Sequence, residues 1–193
     1  MIENKLNLAV FISGRGSNLQ SLIDACQEDN YPAQISVVLS NKPNVQGLER
    51  AKKAGIPTLT IPHKDFETKE AFEGTILEAL KDYPIDLICL AGFMRILSPY
   101  FIGHWPDKII NIHPSLLPDY KGLNTHERAL ADGQKEVGCT IHHVVPEMDS
   151  GPIIMQKKVP VLDGDTPETL AERVLEQEHI AYPEAVRLLA ETR

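Results

Sequence analysis

The sequence predicts an α/β protein with a mainly parallel sheet and crossover helices, extended by C-terminal strands and a long final helix. Three observations carry this expectation. Short β-rich runs alternate with helical stretches through residue 112. The first of them, Leu6 to Ile12, feeds the turn Ser13-Gly14-Arg15-Gly16-Ser17-Asn18 and then a helical segment, the opening of a Rossmann-like half. A later apolar run, Lys108-Ile109-Ile110, ends in Asn111-Ile112-His113-Pro114, after which the pattern changes.

Each element has its own signal. Leu6 to Ile12 is an uninterrupted apolar strand, as a sheet covered on both faces requires. Leu19, Leu22 and Ile23 recur at helical spacing before Asn30-Tyr31-Pro32 closes the segment. Ile35 to Ser40 is a second strand, and Gln46 to Ala54 a helix stopped by Gly55 and Pro57. Thr58 to Ile61 is a short third strand, Phe66 to Lys81 an amphipathic helix, Ile85 to Ala91 a buried strand, and Lys108 to Ile112 a fifth. Pro114, Pro118 and Gly122 then punctuate a loop, followed by a short helix over Thr125 to Ala131. Val137 to Val145 and Ile153 to Val161 form an antiparallel pair around Gly151-Pro152. Pro167 to Glu191 is the final helix, with Thr166 as N-cap and Glu168 in its first turn. With no repeat or linker, the 193 residues read as one domain (1–193) with halves 1–112 and 113–193.

Composition narrows the class. Apolar content of 42% and charged content of 24% describe an ordinary globular chain. A net charge of −8 argues against a broad nucleic-acid or anionic-membrane face. No apolar run approaches the roughly 18 residues of a membrane helix, and the start Met-Ile-Glu-Asn-Lys carries no secretion signal. Three widely spaced cysteines, Cys26, Cys89 and Cys139, suit reduced thiols in a cytoplasm. No metal is expected, because no closed-site ligand spacing occurs and strand alternation sends His142 and His143 to opposite faces.

Four stretches carry chemistry. Asn111 and His113, one residue apart at the end of a strand, put an amide and an imidazole on the same side; Pro114 keeps His113 extended. The pair suits oxyanion stabilisation and proton movement. Gly16, Ser17 and Asn18 suit a single phosphate or a plain tight turn. Leu19 replaces the third glycine of a dinucleotide fingerprint, and Ser40-Asn41-Lys42 stand where its acidic residue belongs, so NAD is disfavoured. Gly92-Phe93-Met94-Arg95-Ile96-Leu97 suits either a flat heterocycle or ordinary strand–helix packing. Asp149, in Pro146-Glu147-Met148-Asp149-Ser150-Gly151-Pro152, either caps a solvated turn or orients His113 and favours its imidazolium.

In this order and spacing, ISGRGSNLQ, AGFMRILSP, NIHPSLLPDYKGLNTH, MDSGPI and QEHIAYP closely resemble the glycinamide ribonucleotide formyltransferases, from Leu8 to about Leu189. The resemblance implies transfer of the formyl group of 10-formyltetrahydrofolate to the amine of 5'-phosphoribosylglycinamide, giving formylglycinamide ribonucleotide and tetrahydrofolate in purine biosynthesis. It implies small-molecule substrates, no nucleic acid, no membrane, and a cytoplasmic monomer or homodimer. The first half becomes nucleotide-binding and the second the folate and catalytic-loop half. By the same resemblance Gly16, Ser17 and Asn18 hold the substrate phosphate, and Glu178 lies near the nucleotide substrate. Lys69, Met94, Arg95, Ile96, Leu97, Asn111 and His142 belong to the folate site, and Asn111, His113 and Asp149 are the catalytic trio. One departure is visible: where the family commonly reads Gly-Leu-His-Thr-His, this chain has Gly122-Leu123-Asn124-Thr125-His126. Asn124 donates a hydrogen bond but does not titrate, so no proton-transfer role carries over to it.

Overall fold

The computed structural model describes residues 4–193. Its centre is a seven-stranded sheet built from β1 (Leu6–Ile12), β2 (Ala33–Ser40), β3 (Thr58–Thr60), β4 (Leu87–Leu90), β5 (Ile109–His113), β6 (Glu136–His143) and β7 (Ile153–Pro160). The order is β3-β2-β1-β4-β5-β6-β7. The first five strands run parallel, and β5 pairs β6, and β6 pairs β7, antiparallel.

The helices are α1 (Ser17–Cys26), α2 (Gln46–Lys53), α3 (Lys69–Leu80), α4 (Pro99–His104), α5 (Thr125–Ala131) and α6 (Pro167–Glu191). Strand alternation divides the core in two. Leu8, Val10 and Ile12 of β1 face a cluster with α1, α2 and α6, which adds Leu170, Val174 and Tyr182. Ala9 and Phe11 face the opposite cluster, with Phe72 and Ile76 of α3 and Phe101 of α4. Covering both faces of β1 explains its unbroken apolar sequence.

Several boundaries differ from the sequence expectation. β2 begins at Ala33, because Leu6 to Leu8 of β1 already pair with Ala33 to Ile35. The helix expected from Phe66 starts at Lys69, capped by the Thr68 hydroxyl accepting from the Ala71 N–H, while His63–Asp65 form a separate 3-10 turn. β5 runs one residue further, through His113. α4 has no counterpart in the sequence expectation; its six residues are too few to show periodicity, although Ser98 caps it and Pro99 opens it.

This topology positions the site. The chain runs outward from β1 to β2 and β3, then returns to β4 on the other side of β1. The reversal opens a crevice beyond the carboxyl ends of β1 and β4, with β5 beside it. Buried Tyr182 of α6 donates its hydroxyl to the Leu90 carbonyl at 2.9 Å, with the Ile110 carbonyl at 3.4 Å. That bond ties α6, one turn after Glu178, to the strands carrying the crevice. Tyr182→Phe is expected to lower the unfolding free energy by about 1 kcal/mol in urea titrations, the net worth of one buried hydrogen bond.

Candidate active site

At the end of β1 the chain turns through Gly16 in the left-handed region (φ 73°), which serves as the N-cap of α1. A Cβ there would lie 2.7 Å from the Gly47 backbone, so only glycine fits. No side chain caps α1, leaving its first-turn N–H groups and helix dipole open to an anion. The Asn18 side chain is engaged elsewhere. Its Nδ2 donates to Glu178 Oε1 at 3.2 Å, and its Oδ1 is buried with no donor facing it. Burial pushes the Glu178 carboxyl up from its ordinary pKa, the Asn18 amide pulling it partly back.

At the end of β5, His113 is buried and Asn111 half-buried. A carbonyl only accepts, so His113 Nε2 carries the proton given to the Tyr120 carbonyl at 2.8 Å. Nδ1 is the free nitrogen and lies 3.6 Å from Asp149 Oδ2, an ion-pair distance longer than a hydrogen bond. That same oxygen accepts the Gly122 N–H at 2.8 Å. Asp149 therefore faces the imidazole while fastening the loop between β5 and α5, which is more than capping a solvated turn.

His142, opposite Asn111 in the ladder, completes the cluster. Its Nδ1 donates to the His143 carbonyl at 2.9 Å, so Nε2 is the acceptor facing Asn111 Nδ2 at 3.5 Å, with Asp149 Oδ1 at 4.0 Å. Burial holds the His142 pKa below its ordinary 6.5, the His143 carbonyl and Asp149 partly opposing and His113 adding to the depression. The loop bearing Asp149 returns tightly: a Cβ on Gly151 would lie 1.7 Å from the His143 carbonyl oxygen, so this position also demands glycine.

Two cavities meet at Asn111 and His113. One, of about 680 Å³, is mostly apolar, with Phe93, Met94, Ile96, Leu97 and Val144 among its walls and His142 and Asp149 at its inner end. The other, of about 590 Å³, runs from Asn111 and His113 to Asn18 and Glu178. Asn124 and His126 line the second cavity, and burial lowers the His126 pKa. Asn124 is left-handed (φ 56°), a conformation asparagine tolerates better than most residues. The three cysteines line neither cavity; burial pushes Cys26 and Cys139 up to about 12.

A family model described as "Formyl transferase" matches residues 6–186. The chain belongs to the formyl transferase family. It is 46% identical to the phosphoribosylglycinamide formyltransferase of Escherichia coli (strain K12), over 97% of this chain and 89% of that protein. It is 51% identical to the trifunctional purine biosynthetic protein adenosine-3 of Homo sapiens, over 97% of this chain but only 19% of that protein. The crystal structure of a phosphoribosylglycinamide formyltransferase from Brucella melitensis superposes with a TM-score of 0.93 at 52% identity, covering 96% of each chain.

Within this formyl transferase, the sequence-named residues fall in two groups. Asn111, His113, Asp149, His142, Met94, Arg95, Ile96 and Leu97 line the apolar cavity, and Asn18 and Glu178 line the neighbouring one with Asn111 and His113. Gly16, Ser17 and Lys69 line neither, the first two forming the turn into α1. Because α3 starts at Lys69, its side chain stands exposed at a helix terminus rather than in the cavity wall. Sequence reading missed the Tyr120 carbonyl and the Gly122 N–H, since backbone groups leave no mark in residue identity. It also missed Leu123, which lines both cavities and is 72% exposed.

The depressed His142 pKa has a measurable sign. The unfolded chain takes a proton on this residue below about 6.5 more readily than the folded protein does, so stability is full above that value and falls as pH drops. The unfolding free energy is expected to decrease from about pH 7 to about pH 5, with a shallower decrease in His142→Gln. Urea titrations across that range measure it; equal slopes would contradict the assignment.

Proposed function

We propose that this chain transfers the formyl group of 10-formyltetrahydrofolate to the glycinamide amine of 5'-phosphoribosylglycinamide, releasing tetrahydrofolate and formylglycinamide ribonucleotide. The observation that carries this reading is the meeting of two cavities at Asn111 and His113, one walled by Phe93 to Leu97 and the other reaching Asn18 and Glu178. A group passed between two small molecules needs such a junction. The names borne by the relatives at 46% and 52% identity support the same chemistry.

In this reading the open first turn of α1, at Gly16, Ser17 and Asn18, takes the substrate phosphate. Glu178, oriented by Asn18, accepts hydrogen bonds from the nucleotide part, and the orphaned Asn18 Oδ1 accepts another. The folate ring lies in the apolar cavity against Met94 to Leu97. Lys69 reaches only the outer, charged end of a long folate ligand. No metal is needed.

The amine nitrogen attacks the formyl carbon, and the carbonyl oxygen becomes an oxyanion. The Asn111 carboxamide donates to it, its other N–H being held by His142 Nε2. His113 Nδ1 accepts the proton the amine loses, and the imidazolium so formed faces Asp149 at 3.6 Å. The carbon–nitrogen bond to the folate then breaks, and that nitrogen takes up the proton held on His113 Nδ1, which returns the imidazole to its neutral form. The chemistry requires no covalent enzyme intermediate. We place this activity in a single domain, 1–193, of a cytoplasmic monomer or homodimer.

The test supplies 10-formyltetrahydrofolate with glycinamide ribonucleotide, with charged initiator tRNA, or with water alone, and follows folate absorbance. Turnover should require the ribonucleotide; formyl loss without an acceptor would overturn the transferase reading. Asn111→Ala is expected to lower kcat by about 10²–10³ through loss of an oxyanion donor, with circular dichroism unchanged.

A further inference from the structure

Residues Phe93 to Leu97, in the loop between β4 and α4, form one wall of the apolar cavity, yet Met94, Arg95 and Ile96 are exposed. Their side chains therefore do little to fix its backbone. Polar groups behind the loop do so at both ends.

At the near end the Met94 N–H donates to Ser13 Oγ at 2.8 Å. The Ser13 hydroxyl donates to Asn41 Oδ1 at 2.5 Å, and Asn41 Nδ2 donates to His63 Nδ1 at 3.0 Å. Ser13 is 5% exposed and Asn41 1%, so water does not substitute for these bonds. At the far end the Ser98 N–H donates to Glu73 Oε2 at 2.8 Å, and the Ser98 hydroxyl donates to Glu73 Oε1. Ser98 Oγ also accepts the Phe101 N–H, capping α4. Glu73 is fully buried on α3. A dry carboxylate is costly wherever an apolar residue would pack, and here both of its oxygens are spent on the last residue of the loop. None of Ser13, Asn41, His63 and Glu73 lines either cavity.

We propose that Ser13 and Glu73 are positioning residues for the folate: they clamp the two ends of residues 94–98 so that the backbone groups between them meet the edge of the flat heterocycle in one arrangement. This rests on the folate reading of the apolar cavity given above. The Ser13 hydroxyl bonds only to Asn41 and the Met94 N–H, away from the first turn of α1. Losing either clamp leaves the loop in place but free to sample other backbone states, which weakens folate binding while the nucleotide compartment keeps its own groups.

Steady-state kinetics in both substrates, with equilibrium binding of tetrahydrofolate, tests the assignment. Ser13→Ala and Glu73→Gln should each raise the KM for 10-formyltetrahydrofolate about five- to tenfold and weaken tetrahydrofolate binding by a similar factor. The KM for glycinamide ribonucleotide should stay within about twofold, and Ser13→Thr, which keeps the hydroxyl, should stay near the unaltered enzyme. Folding of each variant is checked by circular dichroism; if Ser13→Ala does not fold, Glu73→Gln carries the test. A folded variant with an unchanged folate KM, or one in which both KM values rise together, overturns the proposal, as does a Ser13→Thr protein that behaves like Ser13→Ala. Failure of the unaltered enzyme to bind tetrahydrofolate would instead bring down the folate reading itself.

Discussion

One loop is held from two sides, and the arrangement around His113 depends on that hold. His113 Nε2 grips the Tyr120 carbonyl, and Asp149 Oδ2 grips the Gly122 N–H two residues later. Each bond fixes a side chain and the loop at once. The imidazole is left with Nδ1 as its free nitrogen, and the carboxylate is kept opposite it. Tyr120 is left-handed at φ 54° and Asp149 at φ 51°, conformations that cost on the order of 1–3 kcal/mol for a bulky residue. The Tyr120 hydroxyl on Asp132 and the Lys121 ammonium on Ser150 help to offset that cost.

The buried polar groups around this centre are satisfied in a directional way. The His143 carbonyl sets the His142 tautomer, the tautomer makes Nε2 an acceptor, and the acceptor engages one of the two N–H bonds of Asn111. What remains free is one amide donor and one imidazole nitrogen, at the junction of two cavities. Burial lowers the His142 pKa, favouring this arrangement: a protonated His142 would donate at Nε2 and repel the amide. The neighbouring cavity repeats the logic, with Glu178 held by Asn18 and the Asn18 oxygen left without a donor.

The two cavities also share scaffolding. Tyr182 ties α6 to the ends of β4 and β5, Ser13 ties the glycine turn to the loop after β4, and Glu73 ties that loop to α3. These bonds draw on both faces of the sheet, Tyr182 from the α6 side and Glu73 from the α3 side, around the reversal between β1 and β4. A sheet buried on both faces supplies the rigidity, and the polar ties at its carboxyl edge convert it into fixed positions for ligand groups.

By itself the sequence determined the alternation of strands and helices, the two-faced burial of β1, and the pairing of Asn111 with His113, because strand periodicity and the following proline are local properties. It also carried a family pattern along nearly the whole chain. It left Asp149 between two readings, missed α4 and placed the start of α3 three residues early. Only the tertiary structure decided these, for physical reasons. Asp149 reaches His113 because β6 pairs antiparallel with β5 and the chain turns tightly at Gly151, and no sequence spacing encodes that return. The Tyr120 carbonyl and Gly122 N–H act through the backbone, which is the same in every residue. The Ser13 and Glu73 ties join positions 81 and 25 residues apart in the chain, bonds that exist only once the sheet has brought their ends together.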